Sequence, residues 1–160
     1  WKNENEVYVY TDFGDGSMTP SGYPRIVKLW QRGTPMASAK TVYAGTDADM
    51  YIAAYRDHSV GFERDFVSRT IAFYNDELYQ IKADGNLAKI DVPNSAQKSV
   101  HNQYLMLELR APWTVAGTTH AAGALTRRAV GAARRPCRPR RCDRAGWGRS
   151  CSSWRSPRTR

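Results

Sequence analysis

The chain has 160 residues, with 24 Lys and Arg against 15 Asp and Glu for a net charge of +9. That length holds one ordinary domain or part of a larger one. No apolar run approaches the ~20 residues that a membrane-spanning helix needs, so the chain reads as soluble.

The charge is unevenly spread. Residues 127–160 hold twelve Arg, no Lys and one acid, Asp143, a net of +11, which leaves the rest of the chain at −2. A chain-wide argument from basicity to nucleic acid is therefore excluded for the body. Cys137, Cys142 and Cys151 also fall in the basic segment, so the body uses no disulfide and gives no sign of a redox compartment. No charged-then-apolar leader precedes Trp1, and a natural start upstream of it is expected.

In chain order, short runs rich in β-branched and aromatic residues predict strands at Glu6–Phe13, Arg25–Arg32, Lys40–Gly45, Tyr51–Asp57, Phe66–Tyr74, Glu77–Ile81, Leu87–Val92, Gln103–Arg110 and Trp113–Ala116. Turn formers separate them, among them Gly14-Asp15-Gly16, Pro20-Ser21-Gly22, Gly33-Thr34-Pro35 and Asp84-Gly85-Asn86. Asn75-Asp76 predicts the turn of a hairpin between the fifth and sixth runs. The period of two in Tyr104–Leu109 places Leu105, Leu107 and Leu109 on one buried face. No segment shows a sustained 3.6-residue apolar stripe. The class is all-β, as a sandwich, barrel or propeller, and a body of this length makes about two to three propeller blades. Too few to close a ring, they leave sheet edges and blade faces open.

From residue 127 the vocabulary shrinks to Arg, Pro, Ala, Gly, Ser, Thr, Cys and Trp with single Val130 and Asp143. Such a segment cannot bury a core, and disorder is expected from 126 to 160. GC-rich codons give the same vocabulary, which points to a reading-frame shift near Thr126. A genuine basic arm and a cloning scar are the alternatives.

The stretch from Thr11 to Pro35 contains Ser21-Gly22-Tyr23-Pro24-Arg25 and then Lys28-Leu29-Trp30-Gln31-Arg32-Gly33-Thr34-Pro35. With Arg69–Tyr79 and Tyr104–Trp113, it resembles the propeller of the prolyl oligopeptidase family, specifically bacterial prolyl endopeptidases. The likeness runs from about Trp1 to Leu125. It implies part of a seven-bladed propeller that in the whole enzyme covers an α/β-hydrolase domain. That domain carries a Ser-His-Asp triad acting after proline in short peptides, and the propeller is expected to filter substrates by size. The resemblance implies a cytoplasmic or periplasmic location; no cofactor, no membrane partner and no specific nucleic acid are expected.

No catalytic, cofactor or metal residue is assigned. A nucleophile elbow needs Gly-x-Ser-x-Gly, and Gly148-Arg149-Ser150-Cys151-Ser152 fails at its last position. His58, His101 and His120 sit beside turn-like or polar segments and read as surface histidines. Cys137, Cys142 and Cys151 lack zinc spacing. Asp12, Asp15, Asp47 and Asp49 could suggest a cation loop, and Asp47-Ala48-Asp49 has the alternation of a calcium loop but lacks the following Asp-Gly and distal Glu, so turn and cap duty is expected. Arg56, Arg64 and Arg69, among Asp57, Glu63 and Asp65, are expected to form a solvated, mutually paired charge set. The basic segment, with Trp147 and Trp154, leaves open a β-rich binding module with a nucleic-acid-binding arm, although its chemistry predicts sticking to polyanions without specificity.

Overall fold

A computed structural model describes residues 1–130. It is all-β apart from one 3₁₀ turn at Met36–Ser38. Sheet one is antiparallel, in the order β1 (Glu6–Val9), β2 (Ile26–Gln31) and β3 (Lys40–Ala44). Sheet two runs β4 (Tyr51–Asp57), β5 (Arg64–Ala72), β6 (Asn75–Ile81) and β7 (Leu87–Lys89). Sheet three contains β8 (Gln97–His101) and β9 (Tyr104–Glu108), followed after a separate hairpin, β10 (Trp113–Val115) and β11 (Thr118–His120), by β12 (Leu125–Ala129). Its spatial order is β12-β9-β8.

Alternation along the strands explains how the sheets stack. Tyr8 and Val27 of sheet one form a core with Ile52, Ala54 and Val67 of sheet two. The opposite face of sheet two supplies Phe66 and Leu78 to a second core with Leu105, Leu107 and Leu109. Sheet two is thus covered on both faces, as the blades of a propeller stack. The predicted leucine face is present, and all three side chains are essentially inaccessible to water. Fully burying one such side chain stabilises the fold by about 1.5–3 kcal/mol relative to leaving it exposed.

The boundaries differ from expectation where polar sequence forms strand. Gln97–His101 and Thr118–His120 lack an apolar run, yet pair with β9 and β10 respectively. The β5–β6 hairpin exists, but it turns at Phe73-Tyr74, and Ala72 pairs with Asn75. Tyr74 takes the positive φ of 59°, while Asn75 and Asp76 belong to β6. The expected end of the ordered body at residue 125 falls at the start of β12. Residues 126–129 pair with Leu107 through Tyr104 because β9 offers them an open backbone ladder that does not depend on apolar side chains. The rest of the segment expected to be disordered, 131–160, lies outside the described residues.

Candidate functional site

The polar groups of the body converge on the two seams between sheets. β5 organises both, because successive residues face opposite ways. Arg64 and Phe66 face sheet three, whereas Val67 and Arg69 face sheet one.

In the seam toward sheet one, Asp49 is fully buried and accepts hydrogen bonds from the Thr46 N–H at 2.7 Å and hydroxyl at 3.2 Å. Arg69 Nε donates to its other oxygen at 2.8 Å. Gly45 makes this packing possible, since a Cβ there would stand 2.7 Å from Asp49 Oδ2. Arg69 also reaches Glu77 at 3.3 Å, and Glu77 accepts from Tyr79 Oη at 2.6 Å and from Lys89 Nζ. The Lys89 and Tyr79 hydrogen bonds pull the Glu77 carboxyl down to about 2, outweighing desolvation. Burial, reinforced by the bond to Glu77, pushes the Tyr79 phenol up to about 12. The Asp49 hydrogen bond raises the already high pKa of Arg69.

In the seam toward sheet three, Arg64 is 4% exposed. It donates to Asp57 Oδ2 at 2.9 Å, to the Val130 carbonyl at 3.2 Å and to the Asn102 carbonyl. Lys98 lies in the same seam. Its ammonium donates to the carbonyls of Asp76, Asn94 and Ala96 at 2.9, 3.0 and 2.9 Å, and pairs with the Asp76 carboxylate at 3.2 Å. Burial lowers its pKa against the pull of Asp76.

The arginines are paired, as expected, but not as one solvated set. Arg56 pairs with Asp65 at 2.9 Å and Arg64 with Asp57, while Arg69 turns to Asp49 and Glu77. Glu63 pairs with none of them; its carboxyl is lowered mainly by backbone N–H groups. Solvation fails for Arg64, which enters the seam from the inner strand β5 of a sheet covered on both faces, while Arg56 and Arg69 keep about a quarter of their side-chain surface. Lys98, Glu77 and Lys89 were missed by sequence reasoning. The only available signal for Lys98 was its place two residues before Val100 in a strand without an apolar run.

The remaining candidates stay apart. His58 Nε2 lies 2.8 Å from the Trp1 carbonyl, His101 pairs with Tyr104 across the β8–β9 hairpin, and His120 packs against Trp113 with ring centroids 6.4 Å apart. Among the described residues no hydrogen bond joins a histidine to a hydroxyl or a carboxylate, so no nucleophile–base pair forms there. Asp12 accepts from Gly14 N–H at 2.8 Å and the Ser17 hydroxyl at 3.0 Å, which lower its carboxyl pKa and close a turn. Asp47 pairs with Arg25 at 3.2 Å. Among the described residues no group of three or more His, Cys, Asp or Glu could hold a metal, and no helix is long and apolar enough to cross a membrane. The three cysteines, Trp147, Trp154 and Gly148–Ser152 lie outside the described residues.

A stack of small antiparallel sheets, the middle one sharing a core with each neighbour, defines this chain as a partial propeller. No family model matches it. It is 26% identical over 132 residues to the uncharacterized peptidase y4nA of Sinorhizobium fredii (strain NBRC 101917 / NGR234), covering 78% of this chain and 18% of that protein. The solved structure of a post-proline cleaving enzyme from Rickettsia typhi matches with a TM-score of 0.70 and 25% identity, over 78% of this chain and 19% of that one. The resemblance to the prolyl oligopeptidase family is thus borne out over a segment, and the chain spans less than a fifth of the length of the relatives it matches.

Proposed function

We propose that these residues are a propeller portion of a serine endopeptidase that cleaves after proline in short peptides, and that they contribute no catalytic group. The match to a post-proline cleaving enzyme, with a TM-score of 0.70, carries this reading. The polar groups support it as structural ones, because Arg64 and Lys98 tie sheet two to sheet three through their bonds, while Arg69 and Glu77 are spent on partners within sheet two and the loop before it. A proline-containing chromogenic peptide incubated with the purified chain is expected to stay intact, and turnover blocked by a serine-reactive reagent would refute the non-catalytic role. In the whole enzyme the propeller acts as a size filter. A peptide cut there when free should be spared when the same sequence is buried in a folded protein; equal cleavage of both would remove the filter.

The change of composition is assigned to a shift of reading frame near Thr126. Translating the encoding DNA past that codon in the other two frames is expected to restore alternating strand patterns and, further on, Gly-x-Ser-x-Gly. If neither frame does so, the basic segment is genuine.

A further inference from the structure

Lys98 carries its charge into the seam between sheets two and three, where its side chain is only 5% exposed. An ammonium group has three N–H donors and no acceptor. Three carbonyls receive them, those of Asp76 and Ala96 at 2.9 Å and that of Asn94 at 3.0 Å. The Asp76 carboxylate, at 3.2 Å, supplies the counter-charge. Backbone oxygens thus match the donors one for one, and a single acid matches the charge.

These oxygens are held by bonds that do not involve Lys98. Asp76 N–H donates to the Asn94 carbonyl at 3.0 Å, and Ala96 N–H donates to the Pro93 carbonyl at 3.1 Å. Ala96 is itself fixed in the core beside Leu78 and Leu105. A cleft of about 350 Å³ borders the cage, with Ser68, Thr70 and Gln97 in its lining, and gives solvent a way in. Arg110, the other cation on that lining, lies over the Tyr74 ring, 4.4 Å from its centroid.

We propose that this oxygen cage is a site for an ammonium-type monovalent cation, which the chain fills with its own Lys98. Distance selects the class of ion. Contacts of 2.9–3.2 Å are too long for Mg²⁺ or Ca²⁺, which sit about 2.0–2.6 Å from oxygen, and one carboxylate leaves a divalent ion half neutralised. Carbonyl oxygens suit a large monovalent ion, whose hydration shell they replace. Among such ions ammonium alone reproduces the charge-assisted N–H bonds. Lysine differs from a dissolved ammonium ion in being tethered, which removes the entropy loss of capturing it.

The test uses the full chain carrying Lys98→Ala, which empties the cage and leaves its backbone in place. In sodium chloride the variant is expected to melt at least about 5 °C below the parent chain. Exchanging sodium for ammonium at constant ionic strength should raise its Tm by about 4 °C and leave the parent unchanged. Tetramethylammonium has the charge without N–H donors and should act as sodium does. Lys98→Met keeps the path filled with an uncharged chain, so it should lose stability without being rescued by ammonium. If Lys98→Ala does not fold in sodium, refolding in ammonium should restore the β-sheet circular dichroism. An equal response to all three cations, rescue of Lys98→Met, or no response to ammonium by either measure would each overturn the proposal. The last result would mean that Arg110 or water takes over the oxygens once Lys98 is gone.

Discussion

Phe66 and Val67 are consecutive on β5, both fully buried, and belong to different cores. One faces Leu105 and Leu107 of sheet three, the other Tyr8 and Val27 of sheet one. Two adjacent buried residues on a strand with a period of two require cover on both faces of the sheet. Phe66→Ala is expected to cost about 3–5 kcal/mol and Ile52→Ala about 2–5 kcal/mol. Because Phe66 and Ile52 lie in separate cores, their costs should add within about 0.5 kcal/mol in urea unfolding. Strong coupling would show that the two cores act as one.

Arg64 ties three elements together from a nearly water-free position. Arg64→Leu leaves the Asp57 carboxylate, 11% exposed, and two carbonyls without this donor. The expected loss is about 3–5 kcal/mol. Adding Asp57→Asn should recover part of it by removing the uncompensated charge, and thermal unfolding of both variants measures the difference.

Glu77 gives sheet two an acid-sensitive face. Its folded pKa of about 2 lies below the ordinary value of 4.5, so its contribution is fully present above that ordinary value. The contribution declines as pH falls and is lost below about 2, when the carboxyl is protonated in both states. Linkage makes it of the order of 3 kcal/mol. Glu77→Gln should lower stability at neutral pH and flatten the stability profile between pH 5 and pH 2. An unchanged profile would mean that Glu77 is not held by Lys89 and Tyr79.

Gly45 is fixed by what lies against it. Gly45→Ala sets a methyl group against the Asp49 carboxylate and the Ile52 side chain, 2.7 and 3.0 Å from the new carbon. The cost is expected to be about 1–3 kcal/mol by overpacking. Asp49→Ala in the same background should relieve the clash, so the double variant falls short of the summed losses, as a double-mutant cycle would show.

Strands whose side chains alternate in and out of a core were legible in the sequence. Tyr51–Asp57 has the expected bounds, and Leu105, Leu107 and Leu109 point the expected way. β8, β11 and β12 were not legible, because backbone pairing with a neighbour holds them and a polar run such as Gln97-Lys98-Ser99 carries no period. The β5–β6 turn was misplaced because Asn75-Asp76 has the better turn chemistry, while pairing of Ala72 with Asn75 puts the positive φ on Tyr74. The paired arginines were visible as a local cluster of charge. Their true partners Asp49, Glu77, Asn102 and Val130 were not, because they reach β5 only through folding.

The division of the interior into two cores has a consequence for how the body comes apart. Among the described residues each outer sheet shares a core with sheet two, and none is common to all three, so cohesion there passes between nearest neighbours. Such an array melts from its ends inward. Sheets one and three should fray first, and each further sheet stacked on either end would slow that fraying by converting a terminal position into an internal one.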